Sequence, residues 1–205
     1  MKKPLTVLLA LVLVIAMSVA GTMAYLTSDA TVTNTFTVGK VAITMDEKDT
    51  DNDDNRDDNV TMPDNTVRDK ANAYKLIPGV TYTKDPIIHV DSLSEDCYLF
   101  VKVVNGIKDY EAAGATTIAA QMAAKGWKLV DETNGIYVYA ENTANKTVVS
   151  AGSNITVFES FKIADNANIT ASGSALDVVV TAYAVQAEGF AEKTPAQIWT
   201  AANFT

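Results

Sequence analysis

Hydrophobic and polar positions alternate along much of this chain with a period of two, beginning at Ala30. Ala30, Val32, Asn34, Phe36 and Val38 fall on one face, and Thr31, Thr33, Thr35 and Thr37 on the other. Such alternation predicts a β-strand with one apolar and one hydroxyl face. At Gly39-Lys40 the phase slips by one residue, and Val41, Ile43 and Met45 carry the apolar face onward. A glycine at a phase slip predicts a bulge or bend.

Further strands follow. Residues 80–90 form an extended segment interrupted by Pro86, which cannot donate to a ladder, so this strand lies at an edge or begins after the proline. His89 points away from the face of Ile88 and Val90 and is expected on the surface or on an edge strand. Residues 96–104 place Cys97, Leu99, Val101 and Val103 on one face and Tyr98, Phe100 and Lys102 on the other. Residues 127–130 and 136–140 flank Asn134-Gly135, the residues of a tight hairpin turn. Residues 154–163 read as one strand. Residues 176–186, apolar on both faces, read as a central strand covered on both sides.

Two stretches are helical by the same reading. Residues 116–125 have helix-forming composition and stop at Gly126, a natural residue just beyond a helix end. Thr194-Pro195-Ala196-Gln197 has the form of a capping box with proline at the first helical position, predicting a short terminal helix that docks through Trp199. Together these elements predict a mainly β fold, an antiparallel β-sandwich with short helical insertions.

The N-terminus changes the picture from fold to destination. Lys2 and Lys3 precede an apolar run over residues 5–20, and Thr22 and Ala24 supply the small residues of a signal-peptidase site. A signal peptide over 1–24 is therefore expected, with Tyr25 as the new N-terminus. The alternative is an uncleaved anchor, whose apolar run is marginal for a bilayer span. Residues 25–205 are long enough for one domain with a sizeable core.

Composition narrows the chemistry. Of 205 residues, 48% are hydrophobic and 20% charged, and the formal net charge of −9 becomes more negative when the two leader lysines are lost. An acidic chain repels phosphate backbones, so nucleic acid is not an expected partner. Cys97 is the only cysteine, which excludes an intramolecular disulfide; it reads as a small buried hydrophobe. A single histidine excludes the two- or three-imidazole zinc sites of most zinc hydrolases. No catalytic set is expected.

Residues 46–72, carboxylate-rich up to Asp64, read as an acidic loop insertion. Asp49, Asp51 and Asp53 have the spacing that opens a calcium loop, but Asp54 stands at the glycine position and Val60 at that of the bidentate glutamate. Weak calcium attraction by clustered charge is the most this pattern implies.

Three blocks carry a resemblance: GTMAYLTSDATVTNTFTVGKVAITM at the N-terminus, KLIPGVTYTKDPIIHV in the middle, and VTAYAVQAEGF near the end. Together the chain resembles the SipW-dependent TasA/CalY (camelysin-like) family of Gram-positive bacteria. The resemblance implies a secreted jelly-roll domain, export with a SipW-like signal peptidase, and assembly with copies of itself, and with other matrix proteins, into fibres of the biofilm matrix. It further implies that residues 25–38 act as a donor strand entering a neighbouring subunit, with Val32, Phe36 and Val38 as anchors. The camelysin name brings a metallo-endopeptidase activity for which this chain lacks both an H-E-x-x-H motif and a second histidine. A monomeric surface adhesin with weak calcium affinity is the other alternative.

Overall fold

The structure, a computed structural model, describes residues 39–50, 60–61 and 67–204. It is mainly β, and every strand pairing is antiparallel. The strands are β1 (Ile43–Lys48), β2 (Val60–Thr61), β3 (Val67–Asp69), β4 (Thr81–Thr83), β5 (Ile87–Val90) and β6 (Cys97–Asn105). They continue with β7 (Trp127–Asp131), β8 (Ile136–Tyr139), β9 (Asn154–Thr156), β10 (Ser160–Lys162) and β11 (Val178–Gln186). One sheet has the order β2-β3-β1-β5-β9, a second β11-β6-β8-β7, and β10 and β4 form a short two-stranded sheet.

The two larger sheets share one core. Ile88 and Val90 of β5 enter it from one side and Cys97, Leu99, Val101 and Val103 of β6 from the other, with Phe158, Phe161 and Trp127 between. Val41, Ile43 and Met45 pack on this core, as their alternation predicts. The other face of β6, with Tyr98 and Phe100, builds a second core with Ile136, Val138 and Ile198.

The helices cap these layers. α1 (Ile118–Ala124) begins at Thr117, whose hydroxyl accepts from Ala120 N at 3.2 Å, and it ends before Gly126, whose φ of +89° suits only glycine without strain. α2 (Pro195–Ala202) has the predicted reciprocal capping box between Thr194 and Gln197. It lays the fully buried Ile198 on the second core, and Trp199 meets Tyr183 of β11 edge-on with ring centroids 5.1 Å apart.

Four expectations change. Residues 154–163 are not one strand: β9 and β10 belong to different sheets, and Val157 and Phe158 between them are both fully buried. Consecutive residues can both point inward only where the chain kinks, so this is a second phase slip, here without a glycine. The apolar strand near the end is β11, and it stands at the edge of its sheet rather than at its centre. Its two apolar faces arise because one packs on the shared core and the other lies under α2 and Phe204. Residues 46–72 are not simply a loop, since Asp46–Lys48 extend β1 and β2 and β3 lie within the stretch. The β7–β8 connection is a four-residue turn ending at Gly135, with a bulge between Leu129 and Asp131. A Cβ at Gly135 would stand 2.3 Å from Val103 O, so only glycine fits there.

Two consequences are measurable. Trp127 is 2% exposed and donates from Nε1 to Thr156 O at 3.0 Å, tying β7 to β9 across the core. Trp127→Ala is expected to cost about 3–5 kcal/mol, read from the urea midpoint at unchanged slope. Glu111, beside α1, accepts from Ile118 N at 2.8 Å and from Asn105 Nδ2 at 3.0 Å. Burial pushes its carboxyl above the ordinary range, overcoming those hydrogen bonds and Lys108. A raised acid binds its proton more tightly in the native state, so the group is progressively less favourable as pH rises from 4.5 through its folded pKa. Glu111→Gln should therefore remove a loss of Tm between that pH and about pH 7; any fixed cost of turning the new amide toward Asn105 shifts both values alike.

Candidate functional site

The last half of β1 buries two carboxylates, one of which, Glu47, stands where the strand alternation asks for an apolar side chain. Asp46 and Glu47 are 9% and 3% exposed, on opposite faces of β1. Buried carboxylates persist only when paired and hydrogen-bonded, and each here has its own partners.

On one face, Arg68 of β3 is the hub. Its Nε donates to Asp46 Oδ1, its Nη1 lies 3.2 Å from Asp85 Oδ2, and its Nη2 donates to Asp85 O at 3.0 Å and to Asp46 O at 3.3 Å. Asp85 also accepts from Lys48 N at 2.6 Å through Oδ1. Burial works against the Arg68 cation, but the hydrogen bonds and charges of Asp46 and Asp85 hold its pKa above the usual value. His89 joins the same face, with Nε2 3.0 Å from Asp46 Oδ2 and Nδ1 2.7 Å from Asn154 Oδ1. The Nε2 approach is not an aligned hydrogen bond, and Nε2 has no hydrogen-bond partner among the described residues. His89 is thus neither at the surface nor on an edge: β5 lies between β1 and β9, and the side chain is 20% exposed. The opposite face of β1 presents Glu47 to Lys84 and Asn72.

Beside these charges runs a groove of about 850 Å³, within the size range of ligand clefts. Its lining includes the apolar Met45, Tyr74, Leu76, Ile107 and Phe161, the polar Glu47, Asn72 and Lys84, and Val178–Val180 of β11. β11 pairs with β6 through nine positions and, among the described strands, with no other. Val179 is 47% exposed and its cross-strand neighbour Val104 53%. An apolar groove bordered by a long strand edge can accept an extended segment by main-chain pairing.

No protein-family model matches the chain, and neither curated proteins nor solved structures give a match.

The residues singled out from sequence fare unequally. Thr22, Ala24, Tyr25, Val32, Phe36 and Val38 lie outside the described residues, as do Asp51 and Asp53. Asp49 is described and half-buried just past β1. Among the described residues no group of three His, Cys, Asp or Glu side chains is placed to hold a metal ion. Cys97 is fully buried, and burial, aided by the charge of Asp96, pushes its thiol up to about 11. Missed from sequence were Arg68, Asn72, Lys84 and Asp85. A signal existed: Asp46 and Glu47 continue the strand after Met45 without a turn residue, and Lys84-Asp85 directly precede Pro86.

Removing the hub should be costly. Arg68→Met is expected to destabilise the fold by about 3–5 kcal/mol, because Asp46 and Asp85 stay buried without their cation. Adding Asp46→Asn should recover part of that loss in chemical denaturation, and a merely additive double variant would refute the coupling.

Proposed function

We propose that this chain is a secreted structural protein of the extracellular biofilm matrix, a jelly-roll domain that assembles with copies of itself by strand donation. Its leader is removed after Ala24 by a SipW-like signal peptidase, and residues 25–38 then pair with the edge of a neighbouring subunit. The proposal gives the chain itself no enzymatic activity and needs no cofactor. The observation that carries it is β11, nine residues long, paired on one side only among the described strands and bordering the apolar groove at Val178–Val180. The alternation of Val32, Phe36 and Val38, and the resemblance of the N-terminal block to TasA/CalY proteins, support it from the donor side.

Magnitudes set a condition on assembly. Three apolar anchors contribute roughly 4–9 kcal/mol in all, against an association cost on the order of 4–15 kcal/mol. The anchors alone do not drive polymerisation at low concentration; the backbone ladder along β11 adds the remainder. Fibres therefore form only above a threshold concentration or with a nucleating partner.

Negative-stain electron microscopy of the mature chain beside a 25–38 deletion tests the reading. Fibres from the first and monomers from the second are expected. On the acceptor side, Val179→Asp places a charge at the exposed edge and should abolish fibres while circular dichroism stays native. Equal behaviour of mature and deleted chains, whether both fibrous or both monomeric, would sink the proposal.

A further inference from the structure

Glu47 holds two nitrogen-bearing side chains that strand donation does not use. Lys84 Nζ lies 2.6 Å from its Oε2, and Asn72 Nδ2 donates to its Oε1 at 2.9 Å. The glutamate and lysine side chains are 4% and 12% exposed. The Asn72 amide is engaged at its other end as well: Oδ1 accepts from Thr50 N at 2.6 Å and from Thr50 Oγ1 at 2.8 Å. Its Nδ2 makes a second donation, to Lys48 O at 3.0 Å.

Each contact has a role in acyl transfer. A primary amine is a competent nucleophile once it loses a proton, and a carboxylate hydrogen-bonded to it is a general base in reach. The same carboxylate touches the amide nitrogen, the group that must leave with an added proton. Two donors on the amide oxygen stabilise the charge that develops there during attack. Holding amine and amide on the two oxygens of one carboxylate removes the entropy of bringing them together.

We propose that Glu47 catalyses formation of an intramolecular isopeptide bond between Lys84 Nζ and Asn72 Cγ. Glu47 takes a proton from Nζ, the freed amine attacks Cγ, and the carbonyl electron pair moves to Oδ1 against the Thr50 donors. Glu47 delivers its proton to Nδ2 and accepts a second from the new C–N bond's nitrogen. Collapse of the intermediate breaks the Cγ–Nδ2 bond, and the nitrogen leaves as ammonia, which takes up that second proton. A lysine ammonium and a carboxamide thus become a secondary amide and an ammonium ion, with nothing oxidised or reduced. Glu47, Asn72 and Lys84 all line the groove, which gives the product its exit. The bond staples residue 72 to the start of the β5 segment in a chain whose lone cysteine excludes an intramolecular disulfide.

Intact mass spectrometry of the folded, purified chain tests this. The mass should fall below that of the sequence by one ammonia, and tryptic digestion should yield peptide 71–75 joined to peptide 76–102, uncut at Lys84. Succinimide formation at Asn134-Gly135 would release ammonia too, so the variants decide. Lys84→Arg keeps the cation beside Glu47 and should restore the full mass, as should Glu47→Gln. Asn72→Asp should instead lose one water. A folded wild-type chain of full mass that releases peptide 71–75 unmodified, or a Lys84→Arg variant from which free peptide 71–75 is still missing, overturns the proposal.

Discussion

The ladder between β6 and β11 is the interaction on which the rest of the architecture depends. All nine residues of each strand pair, from Cys97 with Gln186 to Asn105 with Val178. One face of this ribbon closes the shared core through Leu99, Val101, Val180 and Ala182, and the other carries the second core through Phe100 and Tyr183. Period-two geometry makes both possible at once, because successive side chains leave on opposite sides. The consequence is a long strand that packs on both faces and borders the groove at its start, Val178–Val180. Natural sheets ordinarily blunt such edges with charge, proline or cover, and β11 has neither a charged residue nor a proline along its length.

A second constraint is set by the charges of β1. Asp46 and Glu47 are satisfied by residues from three separate segments: Arg68 from β3, Asn72 from the stretch after it, and Lys84 just before β5. Apolar packing would have accepted many arrangements of these segments, since it is non-directional. Hydrogen-bonded ion pairs do not, and here Arg68 fixes β3 against β1 through Asp46. The same directional contacts bring an amine, a carboxamide and a carboxylate together, so the groove's chemistry and its stability draw on one set of residues.

Much of this was legible in the chain before any coordinates. Strands with strict alternation or clear turn residues, such as β6, β8 and the start of β1, lie where the pattern puts them, as do both helices, the second with its capping box. The misreadings share one cause. The acidic Asp46-Glu47 pair looked like a loop because its cations, Arg68 and Lys84, lie 22 and 37 residues away in sequence. β11 looked central because burial on two faces does not reveal whether both edges are paired. Residues 154–163 looked like one strand because no glycine or proline marks the break at Val157-Phe158, and pattern does not reveal that the two halves join different sheets.

The sequence by itself determined the class of fold, the faces of its longest strands and the helix ends, because these follow from periodicity and from capping within a few residues. Tertiary structure alone decided the strand order, which edge of β11 is left unpaired among the described strands, and the partners of the buried charges. Those depend on contacts between residues far apart in the chain, whose side chains are ordinary until the fold sets them side by side.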